Sequence, residues 1–113
     1  MHELSLATNV LEIAESTRHR ANARQILGIK LEIGQLSAVE PEAMRFAMDA
    51  LLPESSAAGA HVDYHLVQGQ ASCRACGKKF ELEFLYDSCP ACDSFDKDIL
   101  SGDELLVKSI ELA

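Results

Sequence analysis

All four cysteines of the chain fall in one pattern: Cys73-Arg74-Ala75-Cys76, twelve intervening residues, then Cys89-Pro90-Ala91-Cys92. Two Cys-x-x-Cys hooks facing each other offer four thiolates to one tetrahedral point. Zinc takes four such ligands at about 2.3 Å, and a four-cysteine set leaves no position open for a substrate, so the site reads as structural and not catalytic. Gly77 follows the first hook, where a sharp turn calls for positive φ, and Pro90 stiffens the second. The spacing is a little shorter than usual for paired hooks, yet it remains a zinc pattern. Softness alone leaves iron as the other metal. A disulfide pair suits a small secreted domain, and a thioredoxin-like motif has a single hook opening a helix.

The second chemistry lies at the start, Met1-His2-Glu3. A free α-amine, the amide nitrogen of residue 2 and its imidazole form fused chelate rings once the amide loses its proton. Strong-field nitrogens in a plane suit Ni(II) or Cu(II). Glu3 adds either its amide nitrogen or its carboxylate. The bland alternative is a solvated terminal histidine, and a motif this short does not choose between them.

These groups need elements to hold them. Leu4, Ala7, Leu11 and Ala14, with Val10 beside them, predict an amphipathic helix over about 4–23. Ile29, Leu31 and Ile33 alternate with Lys30 and Glu32 between Gly28 and Gly34, the period of a half-buried strand. Glu40-Pro41-Glu42 opens a second helix, with Ala43, Phe46, Ala47, Ala50 and Leu51 expected on its inner face and Pro53 stopping it. Residues 54–60 are a loop by composition. Val62, Tyr64 and Leu66 predict a strand leading straight into Cys73, and a last strand is expected over about 105–112. The fold class is therefore α+β: a three-stranded sheet with two helices on one face, plus an inserted small four-cysteine zinc-ribbon-like module. The expected division is 1–69 with 96–113 as one domain and 70–95 as the zinc-binding domain.

Composition narrows the partners. The chain has 113 residues, 48% hydrophobic, with 10 basic and 18 acidic residues and a formal net charge of −8. That suits one modest domain with a metal-stapled module. Four thiolates on one dication make it more negative still. Nucleic-acid binding by zinc ribbons depends on lysine and arginine at phosphates. Here Arg74, Lys78 and Lys79 stand among Glu81, Glu83, Asp87, Asp93, Asp96 and Asp98, so protein partners or cations are expected and nucleic acid is not. No apolar run has membrane-spanning length, and no leader of signal type opens the sequence, which gives an expected cytoplasmic location. No paired nucleophile and base and no P-loop stand out, so no enzyme is expected.

Met-His-Glu-Leu-Ser at the start, Glu-Ile-Gly-Gln-Leu-Ser-Ala-Val-Glu-Pro-Glu-Ala at 32–43, the two hooks, Ser-Gly-Asp-Glu-Leu at 101–105 and Lys-Ser-Ile-Glu at 108–111 occur together in one order. In that combination the chain resembles the HypA/HybF family. The resemblance implies a nickel metallochaperone that delivers Ni(II) to the large-subunit precursor of [NiFe]-hydrogenase with a HypB-type GTPase, and in some bacteria serves urease maturation through its accessory proteins. It implies nickel at Met1, His2 and Glu3, and structural zinc at Cys73, Cys76, Cys89 and Cys92. Some members complete the nickel site with a histidine after the second hook; this chain's last histidine is His65. Glu40 is explained by the helix dipole, with nickel tuning from a position near the N-terminus as the alternative. His61 and His65 share a strand face about 13 Å apart at ~3.3 Å per residue, too far for one metal, and read as solvated. His19 reads as surface near a helix end. The rival reading is a zinc-stapled protein–protein adaptor with no nickel cargo. Short connectors to the module leave both monomer and homodimer open.

Overall fold

The computed structural model describes residues 2–113 and places them in two three-stranded sheets. Met1, expected to be a nickel ligand, lies outside the described residues.

α1 (His2–Arg20) buries Ala7, Val10 and Ala14. These are small side chains one turn apart, which lets the helix lie close to its neighbours. Leu4, expected on the buried stripe, is exposed, and Leu11 is only partly covered. The helix also stops short of residue 23. Asn22 adopts left-handed φ of 53°, the Ala23 amide reaches back to the Arg18 carbonyl at 3.0 Å, and the Asn22 amide to that of His19 at 3.1 Å. This is a Schellman stop with asparagine where glycine is more usual. Arg18 reinforces it by donating from Nη1 to the Ala23 carbonyl at 2.7 Å while pairing with Glu15.

β1 (Ile26–Gly34) is the central strand of the first sheet, parallel to β2 (His61–Val67) and antiparallel to β6 (Leu105–Leu112). Ile29, Leu31 and Ile33 face the helices; Lys30 is exposed and Glu32 partly so. A parallel pair needs a crossover, and α2 (Pro41–Leu51) supplies it. Glu40 caps α2: its backbone is extended and its carboxylate accepts from the Ala43 amide at 2.9 Å, while Pro41 occupies the first turn. The inner face of α2 is corrected by the structure. Met44, Ala47 and Met48 are buried, Ala50 is exposed and Phe46 is 75% exposed. The charged residues Glu42, Arg45 and Asp49 share one face of the helix, and Met44, Ala47, Met48 and Leu51, at i, i+3, i+4 and i+7, share the opposite one, so Phe46 and Ala50 turn outward. Leu66, expected to face inward on β2, is also exposed.

The expected single strand from Val62 into Cys73 is in fact two. The chain leaves the first sheet after Val67 and enters the second as β3 (Gly69–Cys73), flanked by β4 (Lys79–Leu82) and β5 (Lys97–Ser101), all antiparallel. The second core holds Ala71, Cys73, Phe80, Leu82 and Cys89, with Ile99 against it and Leu36 reaching in from the loop between β1 and α2. Glycines make this crossing possible. A Cβ on Gly34 would stand 2.3 Å from the Gly102 carbonyl oxygen, and one on Gly69 would stand 2.6 Å from that of Leu82. The Leu36 amide donates to the Gly102 carbonyl at 2.6 Å and so pins the inserted leucine. The expected α+β class, with two helices over a three-stranded sheet and an inserted four-cysteine unit, is the observed one.

Candidate metal centre

The two hooks are built alike. β3 ends on Cys73 and β4 begins at Lys79, so the first hook is the turn of that hairpin. The Gly77 amide donates to the Cys73 carbonyl at 2.9 Å and the Cys73 amide to the Lys78 carbonyl at 2.9 Å. In the second hook the Asp93 amide donates to the Cys89 carbonyl at 2.8 Å and the Cys89 amide to the Ser94 carbonyl at 2.9 Å. The residue after each hook is left-handed, Gly77 with φ 80° and Asp93 with φ 62°. Asp93 was not singled out in the sequence. Its signal is positional, since it stands where Gly77 stands, and aspartate tolerates this region better than most residues. The hooks are clamped together by Arg74, whose amide donates to the Asp96 carbonyl at 2.9 Å and whose guanidinium bonds the Asp98 carboxylate at 2.9 Å through Nε. Arg74 is thus committed to Asp98 and Asp96 and offers no free positive charge.

The hooks converge on one point. The four sulfurs lie within 4.8 Å of one another, with Cys73 to Cys92 and Cys76 to Cys89 both at 3.6 Å. Bonds of about 2.3 Å to a tetrahedral ion place sulfurs about 3.8 Å apart. The donor set therefore fits a four-thiolate metal ion. The first cysteine of each hook is buried and the second exposed, so the ion would sit at the rim of the second core with one side toward water.

The acid–base character agrees. Backbone amides of Cys76 and Ala75 turned toward the Cys73 sulfur lower its pKa to about 7. At Cys92 the Ser94 amide pulls the same way, but the sulfurs of Cys73, Cys76 and Cys89 outweigh it and push the thiol up to about 12. The Cys73 thiolate forms easily here, and Cys92 then resists. A dication at the centre removes that conflict, because each bound thiolate is held deprotonated.

At the other predicted site the structure brings His2 and Glu3 to the first turn of α1. The His2 imidazole is exposed, with Nδ1 3.7 Å from a Glu3 carboxylate oxygen. That same oxygen accepts from the Glu40 backbone amide at 3.3 Å. The Glu40 amide, followed by Glu3's own amide and His2, holds the Glu3 carboxyl below its usual range. The start of α1 is thereby tied to the cap of α2, across 37 residues of sequence. The remaining histidines are apart from both sites. His19 is exposed in the last turn of α1, His61 pairs with Asp63 at 2.6 Å, and His65 is exposed on β2. Among the described residues no helix is long and apolar enough to cross a membrane.

Comparison with known proteins gives one answer. The HypA family model, described as hydrogenase/urease nickel incorporation, metallochaperone, matches residues 1–112. The chain is 42% identical over 112 residues to a hydrogenase maturation factor HypA of Rhodopseudomonas palustris, covering 99% of each. It is 38% identical to that of Geobacter metallireducens, with the same coverage. Its fold is similar to the solution structure of the Ni metallochaperone HypA from Helicobacter pylori, with a TM-score of 0.70 at 22% identity over 97% of this chain and 96% of that one. A second solution structure of a HypA protein matches with a TM-score of 0.67 at 24% identity, over 100% of this chain and 97% of that one.

Proposed function

This chain belongs to the HypA family of hydrogenase/urease nickel-incorporating metallochaperones, and on that premise we propose that it binds Ni(II) at Met1, His2 and Glu3 and delivers it for [NiFe]-hydrogenase maturation. The observation that carries the proposal is the convergence of an exposed His2 imidazole and a Glu3 carboxylate at 3.7 Å on the first turn of α1. The first four amides of a helix have no intrahelical acceptor. Those of His2 and Glu3 are among them, so giving up a proton to a metal breaks no helical hydrogen bond. An imidazole with deprotonated amides is a planar, strong-field set of the kind Ni(II) prefers. Exposure suits a cargo that must leave again. The Glu40 contact holds the Glu3 carboxylate beside His2 and keeps it ionised, which supports Glu40 in a tuning role.

The four-cysteine centre holds zinc in this reading. Its closed set of ligands leaves no place for a substrate, and its ion contributes to folding. The two-unit division, 1–69 with 96–113 for nickel and 70–95 for zinc, belongs to the proposal, with β5 lending the zinc unit its second flanking strand. The partners are a HypB-type GTPase and the hydrogenase large-subunit precursor, with urease accessory proteins as further clients, in the cytoplasm.

The test is a Ni(II) titration of untagged protein and its His2→Ala variant, followed by heat and by visible absorption. One equivalent bound by the wild type and lost in the variant supports the N-terminal site. Equal binding in both removes His2 as a ligand and favours the adaptor reading.

A further inference from the structure

The second core closes without the residues that stand directly after β4. Phe84, Leu85 and Tyr86 belong to neither core and are 51%, 56% and 71% exposed. They occupy a turn, closed by the Asp87 amide donating to the Phe84 carbonyl at 3.0 Å. Turn tips are normally glycine, asparagine, aspartate, serine or proline, whereas this one carries two aromatics and a leucine. The turn is also firmly built. The Asp87 carboxylate accepts from the Glu83 amide at 3.0 Å and the Phe84 amide at 3.2 Å, and the Phe84 and Tyr86 rings stack at 5.1 Å with 5° between their planes. Leu82 on one side and Cys89 on the other are buried, so both ends are anchored. An ordered, contiguous apolar projection of this kind marks an interaction site.

We propose that the Phe84–Tyr86 turn is a docking tip that inserts into an apolar pocket rimmed by lysine and arginine on a partner protein. Charge selects this occupant. The tip stands between Glu81 and Glu83 on one side and Asp87 on the other, on a chain of net charge −8. An anionic lipid surface would meet those carboxylates, and nucleic acid would need cations beside the stacked rings. A second copy docking tip to tip would oppose the same acidic rim to itself. A basic rim on a protein complements it and speeds encounter. Stacked aromatics are suited to be the buried anchors of such a contact. Cys89 ties the far end of this segment to the four-cysteine centre.

The choice of probe rests on the maturation reading. The test uses metal-loaded full-length chain against two purified proteins, the hydrogenase large-subunit precursor and the HypB-type GTPase. The expected result is that wild type binds at least one of them, more weakly as NaCl rises. Phe84→Ser/Tyr86→Ser should then lower that affinity roughly tenfold or more while nickel binding and metal content stay at wild-type values. Leu85→Ser, a milder change, should weaken it in the same direction. A photo-reactive phenylalanine analogue at position 86 should cross-link to the protein that binds. An unchanged affinity in the double variant overturns the proposal. So does wild type that binds neither protein, or a double variant whose only losses are self-association or binding to phosphatidylserine vesicles. Retained nickel binding with lost docking separates this inference from the nickel reading.

Discussion

Replacing Gly34 by alanine should break the crossing between the two sheets. The new Cβ would lie 2.3 Å from the Gly102 carbonyl oxygen, 2.4 Å from its carbon and 2.9 Å from the Glu104 carbonyl oxygen. All three are backbone atoms, so no side chain can swing aside. Moving them apart also disturbs the hydrogen bonds from the Gly34 amide to Glu104 at 2.9 Å and from the Leu36 amide to Gly102 at 2.6 Å. Overpacking of this kind costs about 1–3 kcal/mol, and each lost hydrogen bond about 1 kcal/mol. Together they amount to roughly 3–5 kcal/mol, a large part of the 5–15 kcal/mol that holds a typical domain together. The measurement is urea unfolding of metal-loaded protein followed by circular dichroism, with Gly59→Ala as control. Gly59, unlike Gly34, has positive φ, 83°, and nothing lies within 4 Å of its would-be Cβ, so only the left-handed backbone cost of about 1 kcal/mol applies. Equal destabilisation of the two variants would refute the tight crossing.

Three further outcomes are expected. Met48→Ala should destabilise by about 2–5 kcal/mol, since Met48 is fully buried, whereas Phe46→Ser should stay within about 0.5 kcal/mol; the reverse order in denaturant midpoints would put Phe46 on the inner face of α2. In native mass spectrometry of protein prepared with zinc alone, the wild type should carry one ion per chain and Cys89→Ser none; the variant should also lose hydrogen-exchange protection in β3, β4 and β5, while β1 amides stay protected. Glu15, held at about 2 chiefly by its hydrogen bonds to Arg18 and then Ser56, against an ordinary 4.5, is a lowered carboxylate. It therefore contributes stability above about pH 4.5 that is lost as pH falls toward 2, and Glu15→Gln should flatten the thermal stability profile across that window.

The metal centre was legible because a hook is local: Cys-x-x-Cys with its turn fixes two sulfurs with little help from elsewhere. The same holds for Pro41 opening α2 and for the alternation of Ile29, Leu31 and Ile33. The second sheet was hidden because its alternation is short and built on small residues: Ala71 and Cys73 face inward between Gln70 and Ser72, and Phe80 and Leu82 flank Glu81, over spans of only four or five residues; backbone pairing on both sides secures β3. Asp93 was hidden for a related reason, since its left-handed backbone is imposed by the hook and not by its own residue type. The rotation of α2 was legible in its charged residues, since Glu42, Arg45 and Asp49 at i, i+3 and i+7 mark the outer face and leave Met44, Ala47, Met48 and Leu51 inward; the expected set, with Phe46 and Ala50 inside, did not weigh that stripe. The approach of Glu3 to Glu40 could be suggested from sequence, but it depends on how α1 lies on α2.

The pairing of β1 with β6 has a consequence in time. Ile26 is matched to Leu112 and Ile33 to Leu105, while every residue of the second sheet lies between them in sequence. A chain leaving the ribosome exposes its N-terminal residues first. The four-cysteine unit therefore leaves the ribosome ahead of the last strand needed to close the first sheet. Until then the central strand of the first sheet has one edge unpaired, a sticky template for wrong partners. An ion captured early would leave only one short strand to be added to an otherwise ordered chain. The order of synthesis thus leaves closure of the first sheet, against which α1 packs, to β6.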